Sequence, residues 1–207
     1  CFADTVDVEL VKPLLDNQIR CNSAIAEEGL RGDWGANVGR VLLSEFGSDI
    51  KNEARAYAAA ASDARMSGCE LPVVIVTGSG NQGITASVPV IRYAKHIGAS
   101  DERLYRALLV SDLVTIHQKT GIGRLSAYCG AVSAGCGAGA GIAYLLGGDY
   151  RAIAHTIVNA VAILSGTICD GAKPSCAAKI ASAVEAGILG YYMYVNDQQF
   201  RGGDGIV

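Results

Sequence analysis

Leu125-Ser126-Ala127-Tyr128-Cys129-Gly130-Ala131-Val132-Ser133-Ala134-Gly135-Cys136-Gly137-Ala138-Gly139-Ala140-Gly141-Ile142-Ala143-Tyr144-Leu145-Leu146-Gly147-Gly148 contains no charged side chain. Its length, with the spacing of Gly135/Gly139 and Gly137/Gly141, resembles the packing face of a transmembrane helix. Two cysteines and five glycines between Cys129 and Gly141 argue against that reading. Neither a flanking basic cluster nor an interfacial Trp accompanies the run. Residues 152–169 are also uncharged, but they carry His155, Asn159 and Ser165. Both stretches therefore read as central helices of a mainly α protein. The expectation is a helical bundle around Gly/Ala-rich helices, with at most one short strand.

Composition supports a packed core. Of 207 residues, 50% are hydrophobic and 18% charged, with 26 Gly and only 4 Pro. A net charge of -3 leaves no basic excess for a nucleic-acid partner. The first residue is Cys1, and no charged-then-apolar leader follows. This reads as a cytoplasmic fragment of a longer chain, truncated upstream, with residues 1–207 forming one helical domain. A site shared with an N-terminal partner domain would be incomplete here. The sequence leaves a homo-oligomer open.

Outward from the central run, residues 5–29 show helical spacing, with Val8, Val11, Leu14, Leu15, Ile19 and Ala26 facing inward. Pro13 divides a short helix from a longer one, and Gly29, Gly32 and Gly35 mark a break. Helices follow over residues 36–46 and from Ile50 to Met66, the latter capped by Ser48-Asp49. Leu71 to Val76 is the one stretch with strand character. It enters Thr77-Gly78-Ser79-Gly80-Asn81-Gln82-Gly83 and a helix from about Ile84 to His96. Backbone N–H groups at such a helix start can cradle a carboxylate or phosphate. A tight turn that needs glycine explains the same residues. A helix from Asp101 to about Gln118 precedes a loop containing Lys119. After the central run come a helix from Asp149 to about Thr167 and a last one from Ser175 to Tyr194.

The chain has 7 cysteines. Cys129 and Cys136 are two helical turns apart and share a face. Cys169 and Cys176 enclose Asp170-Gly171-Ala172-Lys173-Pro174-Ser175. That spacing is too wide for a zinc knuckle and fits no ferredoxin run. Alone it leaves a metal site and buried inert thiols both open. Lys173, between two cysteines, would favour their thiolate forms or bind a carboxylate.

The order of blocks says more. Asn81-Gln82-Gly83-Ile84, Ile116-His117-Gln118-Lys119, Gly123-Arg124-Leu125-Ser126-Ala127-Tyr128-Cys129-Gly130 and Cys169-to-Cys176 together resemble the L-cysteine desulfidase family. More distantly the chain resembles the alpha domain of iron–sulfur-dependent L-serine dehydratases. There a Cys-Gly helix, a Leu-Leu-Gly-Gly helix end and a Cys-Asp segment recur in this order. The resemblance covers roughly residues 70–185. It implies a [4Fe–4S] cluster held by three cysteines, with one iron open to substrate. By position Cys129 and Cys169 are ligands. Cys176 matches a later ligand of the dehydratases at a different spacing. The desulfidases carry a further cysteine in an N-terminal motif that this chain lacks.

The implied reaction is α,β-elimination of hydrogen sulfide from L-cysteine, or water from L-serine, to pyruvate and ammonia. A small amino acid is the substrate. Lys119 and His117 are the candidate bases. Asn81, Gln82, Gly83 and Lys173 are candidates to hold the substrate carboxylate. Two other readings remain: a non-enzymatic module that binds a small anion or amino acid, and a structural zinc site using Cys169 and Cys176.

Overall fold

The computed structural model describes residues 2–123 and 126–205, so Arg124 and Leu125 of the third block lie outside the described residues. Among the described residues there are nine α-helices and no strand. The mainly α expectation is met.

The N-terminal region comprises α1 (Phe2–Thr5), a 3-10 turn (Val8–Leu10) and α2 (Lys12–Arg31). Pro13 sits in the first turn of α2, where its missing N–H breaks no bond. Leu14, expected inward, is 62% exposed, and Gln18 and Asn22 occupy the buried face instead. Gly29 does not break the helix. It lies inside α2, where a Cβ would stand 2.0 Å from the Ala60 carbonyl oxygen. The glycine is there for close approach to α4 (Ile50–Met66). α4 begins at Asp49, which accepts from the Lys51 and Asn52 N–H groups. Its alanines from Ala58 to Ala61 are buried. Between α2 and α4 lies α3 (Val38–Phe46).

Leu71–Val76 forms no strand and pairs with none among the described residues. The Asn22 side chain stands in for one. Its amide donates to the Val74 carbonyl at 3.2 Å, and its oxygen accepts from the Val74 N–H at 2.9 Å.

α5 (Gly80–His96) starts four residues before the expected Ile84. Ser79 caps it by accepting from the Gln82 N–H, so Asn81, Gln82 and Gly83 form its first turn. α6 (Asp101–Ile122) runs past Gln118 and ends at Gly123, whose φ is +81°. Lys119 is therefore in the last turns of a helix and not in a loop. α7 (Gly130–Leu145), α8 (Tyr150–Leu164) and α9 (Cys176–Val195) complete the bundle.

α7 is the axis, packed against α5, α6, α8 and α9. A Cβ at Gly135 would lie 2.3 Å from the Ala183 oxygen on α9; one at Gly137 would lie 2.2 Å from Thr115 Oγ1 on α6. The stripe that resembled a membrane packing face lets backbones approach inside the bundle. Among the described residues, no helix is long and apolar enough to cross a membrane.

Candidate functional site

The three cysteines meet where α7 and α9 begin. Cys129 is the N-cap of α7, and Cys176 is the first residue of α9. Cys169 reaches them through an isolated antiparallel bridge between Tyr128 and Ile168. Its N–H donates to the Ala127 carbonyl at 2.6 Å. The intervening loop folds back on Cys176: the Lys173 N–H donates to its sulfur at 3.5 Å, and its thiol faces the Gly171 carbonyl at 3.6 Å. Gly171 has a φ of +94°, which a side chain would strain. Cys129 and Cys176 are buried and Cys169 is exposed.

Burial pushes the Cys129 thiol up from its ordinary range. The Val132 and Ala131 N–H groups at the start of α7 pull it back in part, and neighbouring Cys169 and Cys176 push it further up. A cation nearby comes from Lys179, a residue the sequence reading did not single out. It pairs with Asp170, which holds the Asp170 carboxyl below its usual range. Lys179 is itself raised, first by Asp170 and then by Cys176 and Cys129. The signal was available: Lys179 is three residues after Cys176 on one helix, hence on the same face.

A second convergence lies beside the first. A Cβ on Gly130 would be 3.7 Å from Gln82 Nε2 and 3.8 Å from Lys119 Nζ. The first turns of α5 and α7 and the last turns of α6 therefore face one point, next to Cys129. Gln82 Oε1 accepts from the Thr77 N–H at 3.0 Å, which orients the amide. Its Nε2 is buried and has no partner among the described residues. Such an orphaned donor is costly unless something binds it. Asn81 Oδ1 accepts from Arg65 Nη1 at 3.1 Å. Gly83 lies under the Val74 carbonyl, where a Cβ would be 2.1 Å from the oxygen.

The structure separates the two base candidates. His117 is exposed and stands ~200° round α6 from Lys119. Lys173 is also exposed, and only its backbone is seen bonding to Cys176.

Against the cysteines lies a cavity of about 340 Å³ between α6, α7 and the end of α8. Gln118 and Cys136, neither given a site role from the sequence, line it together with Cys129. Burial pushes the Cys136 thiol up to about 11, with the Gln118 amide pulling the other way.

The donor set suits a soft metal cluster, because thiolates at helix starts prefer such metals. Among the described residues, no group of three His, Cys, Asp or Glu is placed to hold a single metal ion. A four-iron cube spreads its thiolates farther apart than one ion does.

Three cysteines gathered at the starts of α7 and α9, with Gln82 and Lys119 beside Gly130, define the site. The family model described as serine dehydratase alpha chain matches residues 2–207, and the chain belongs to that family. It is 69% identical over 206 residues to a UPF0597 protein of Desulfitobacterium hafniense, covering 100% of this chain and 48% of that protein. It is 57% identical to a UPF0597 protein of Lachnoclostridium phytofermentans, over 100% of this chain and 49% of that one. A UPF0597 protein of Bacteroides thetaiotaomicron is 40% identical, with 100% and 49% covered. The chain thus spans about half the length of these curated relatives. No solved structure matches it.

Proposed function

We propose that the chain is the cluster-bearing helical half of an iron–sulfur lyase that eliminates hydrogen sulfide from L-cysteine, or water from L-serine, leaving pyruvate and ammonia. The observation that carries this reading is the double convergence at the start of α7: three cysteines on one side, Gln82 and Lys119 on the other. Membership of the serine dehydratase alpha chain family supports it. The finer assignment to L-cysteine desulfidases rests on the block resemblance.

In this reading Cys129, Cys169 and Cys176 hold a [4Fe–4S] cluster, which when bound supplies a Lewis acid for the leaving thiolate or hydroxyl. Gln82 Nε2 and the open N–H groups at the start of α5 bind the substrate carboxylate, a role suited to a helix N-terminus. Arg65 adds positive charge by holding Asn81. Gly83 contributes indirectly, by letting the 71–76 segment seat against α5. Lys119 takes the α-proton. The electrons of that C–H bond form Cα=Cβ, and the Cβ–S or Cβ–O bond breaks. The aminoacrylate tautomerises to an imine, which water hydrolyses. His117, facing away, has no part in these steps, and Lys173 serves the loop between the cysteines. The remaining half of the longer protein completes the site over exposed Cys169.

The test is pyruvate release from L-cysteine and L-serine by the anaerobically purified full-length protein. Lys119→Met is expected to lower kcat by about 10²–10⁴-fold, the range of a lost general base, while bound iron is unchanged. His117→Gln is expected to keep near-normal turnover. Equal losses in both variants, or none in Lys119→Met, would contradict the assignment.

A further inference from the structure

The cavity beside Cys129 is larger than either simple substrate needs. A thiol or hydroxyl adds one heavy atom to Cβ. The cavity, at about 340 Å³, exceeds twice the ~150 Å³ of an engineered cavity that accepts benzene. Its walls are apolar, from Val132 on α7 to Val161 and Leu164 on α8. Two of the four hydroxyls at its edge are engaged: Ser133 Oγ donates to the Gly130 carbonyl and Ser165 Oγ to that of Ala162, while Tyr128 and Thr167 carry the other two. An apolar lining left uncovered forgoes its dispersion contacts.

One polar group breaks the pattern. Gln118 Nε2 is buried and, the weakly accepting Cys136 sulfur aside, has no hydrogen-bond partner among the described residues. Gln118 directly precedes Lys119 on α6, so one residue faces the cavity while the next faces Gly130. A molecule held at Gly130 by its carboxylate would have its β-substituent beside Cys129, at the cavity mouth. The cavity suits an apolar group up to the size of a ring, joined through an atom that can accept from Gln118 Nε2. A thioether sulfur, a weak acceptor with no hydrogen, meets both conditions.

We propose that this cavity receives the β-substituent of the substrate, and that S-substituted L-cysteines with an apolar, ring-sized group are its best-fitting substrates. The inference rests on the lyase reading. The chemistry stays balanced: the α-proton leaves, the Cβ–S bond breaks, and the departing thiolate takes up a proton to become a free thiol. Pyruvate and ammonia follow by hydrolysis as before, with no oxidant or reductant consumed.

Binding and turnover separate the two claims. In calorimetric titration of the full-length protein, S-benzyl-L-cysteine is expected to bind at least about tenfold more tightly than S-methyl-L-cysteine. Val161→Phe and Leu164→Trp, which fill the cavity from α8, are expected to remove that advantage and leave S-methyl-L-cysteine binding unchanged. Equal affinity for the two ligands in the natural protein overturns the inference. So does an advantage that survives both substitutions. If neither variant folds, the ranking in the natural protein decides alone. A benzyl advantage without pyruvate from any substrate upholds the pocket and refutes the lyase reading. Pyruvate from L-cysteine without a benzyl advantage upholds the lyase and refutes the pocket.

Discussion

Asp112 shows how a single side chain can set a pH dependence. Gln18 Nε2 donates to Asp112 Oδ1 at 3.1 Å, while Gln18 Oε1 is buried with no partner. Burial raises Asp112 to about 7, against the opposing bond from Gln18. An unfolded aspartate titrates near ~3.9. Below that pH both states hold the proton. Between there and about 7 only the folded state does, so stability falls as pH rises through this window and levels off above it. Asp112→Asn keeps the hydrogen bond from Gln18 without a charge. It is expected to flatten that slope and to stabilise the protein at pH ~8 by about 1–2 kcal/mol. Denaturant titrations at the two ends of the window measure this. An Asn variant no more stable than the natural protein at the alkaline end would contradict it.

At the scale of helices, the small residues of α7 decide how tightly the bundle closes. Gly135 meets the Ala183 backbone of α9, and Gly137 meets Thr115 and the Ser111 carbonyl of α6. These neighbours are backbone or buried side chain and cannot swing away. Gly135→Ala is expected to lower stability by about 2–3 kcal/mol or more. Gly121, on α6, has nothing within 4 Å of an added Cβ. There alanine is expected to raise stability by about 0.5–1 kcal/mol, the ordinary helix-propensity difference. Melting curves of the two variants check the contrast; a similar change in both would mean that α7 is loosely packed.

Helix limits were legible where caps and periodicity agree. Asp49 and Met66 bound α4 as read from sequence, and Asp101 opens α6. Several of the misplaced limits share one physical source, glycine read as punctuation. Gly29, Gly80, Gly83 and Gly121 all lie inside helices. Gly29 and Gly83 are there because a neighbouring carbonyl occupies the place of a Cβ. Periodicity along one element cannot reveal what another element will bring against it.

For the whole molecule, the candidate site is a product of topology. Cys129 and Cys169 are forty residues apart in sequence, and nothing in their spacing says they meet. The Tyr128–Ile168 bridge brings them together. Family resemblance supplied their order, and the fold supplied their neighbours. Lys119 emerged as the closer base candidate because α6 runs on past Gln118. Gln118 and Cys136 could not be separated from ordinary core residues without the cavity they line. The rim of the site carries exposed Tyr128 and Ile168, 56% and 63% accessible. The chain also spans only half the length of its curated relatives.

The most direct test is the iron and acid-labile sulfide content of the full-length protein, purified without oxygen, for the natural sequence and four single variants. The account predicts close to four irons and four sulfides per chain in the natural protein, the content of a [4Fe–4S] cluster. It predicts their loss in Cys129→Ser, Cys169→Ser and Cys176→Ser, and no change in Cys69→Ser. Less than one iron per chain in the natural protein, or iron retained when Cys129 is replaced, would contradict it.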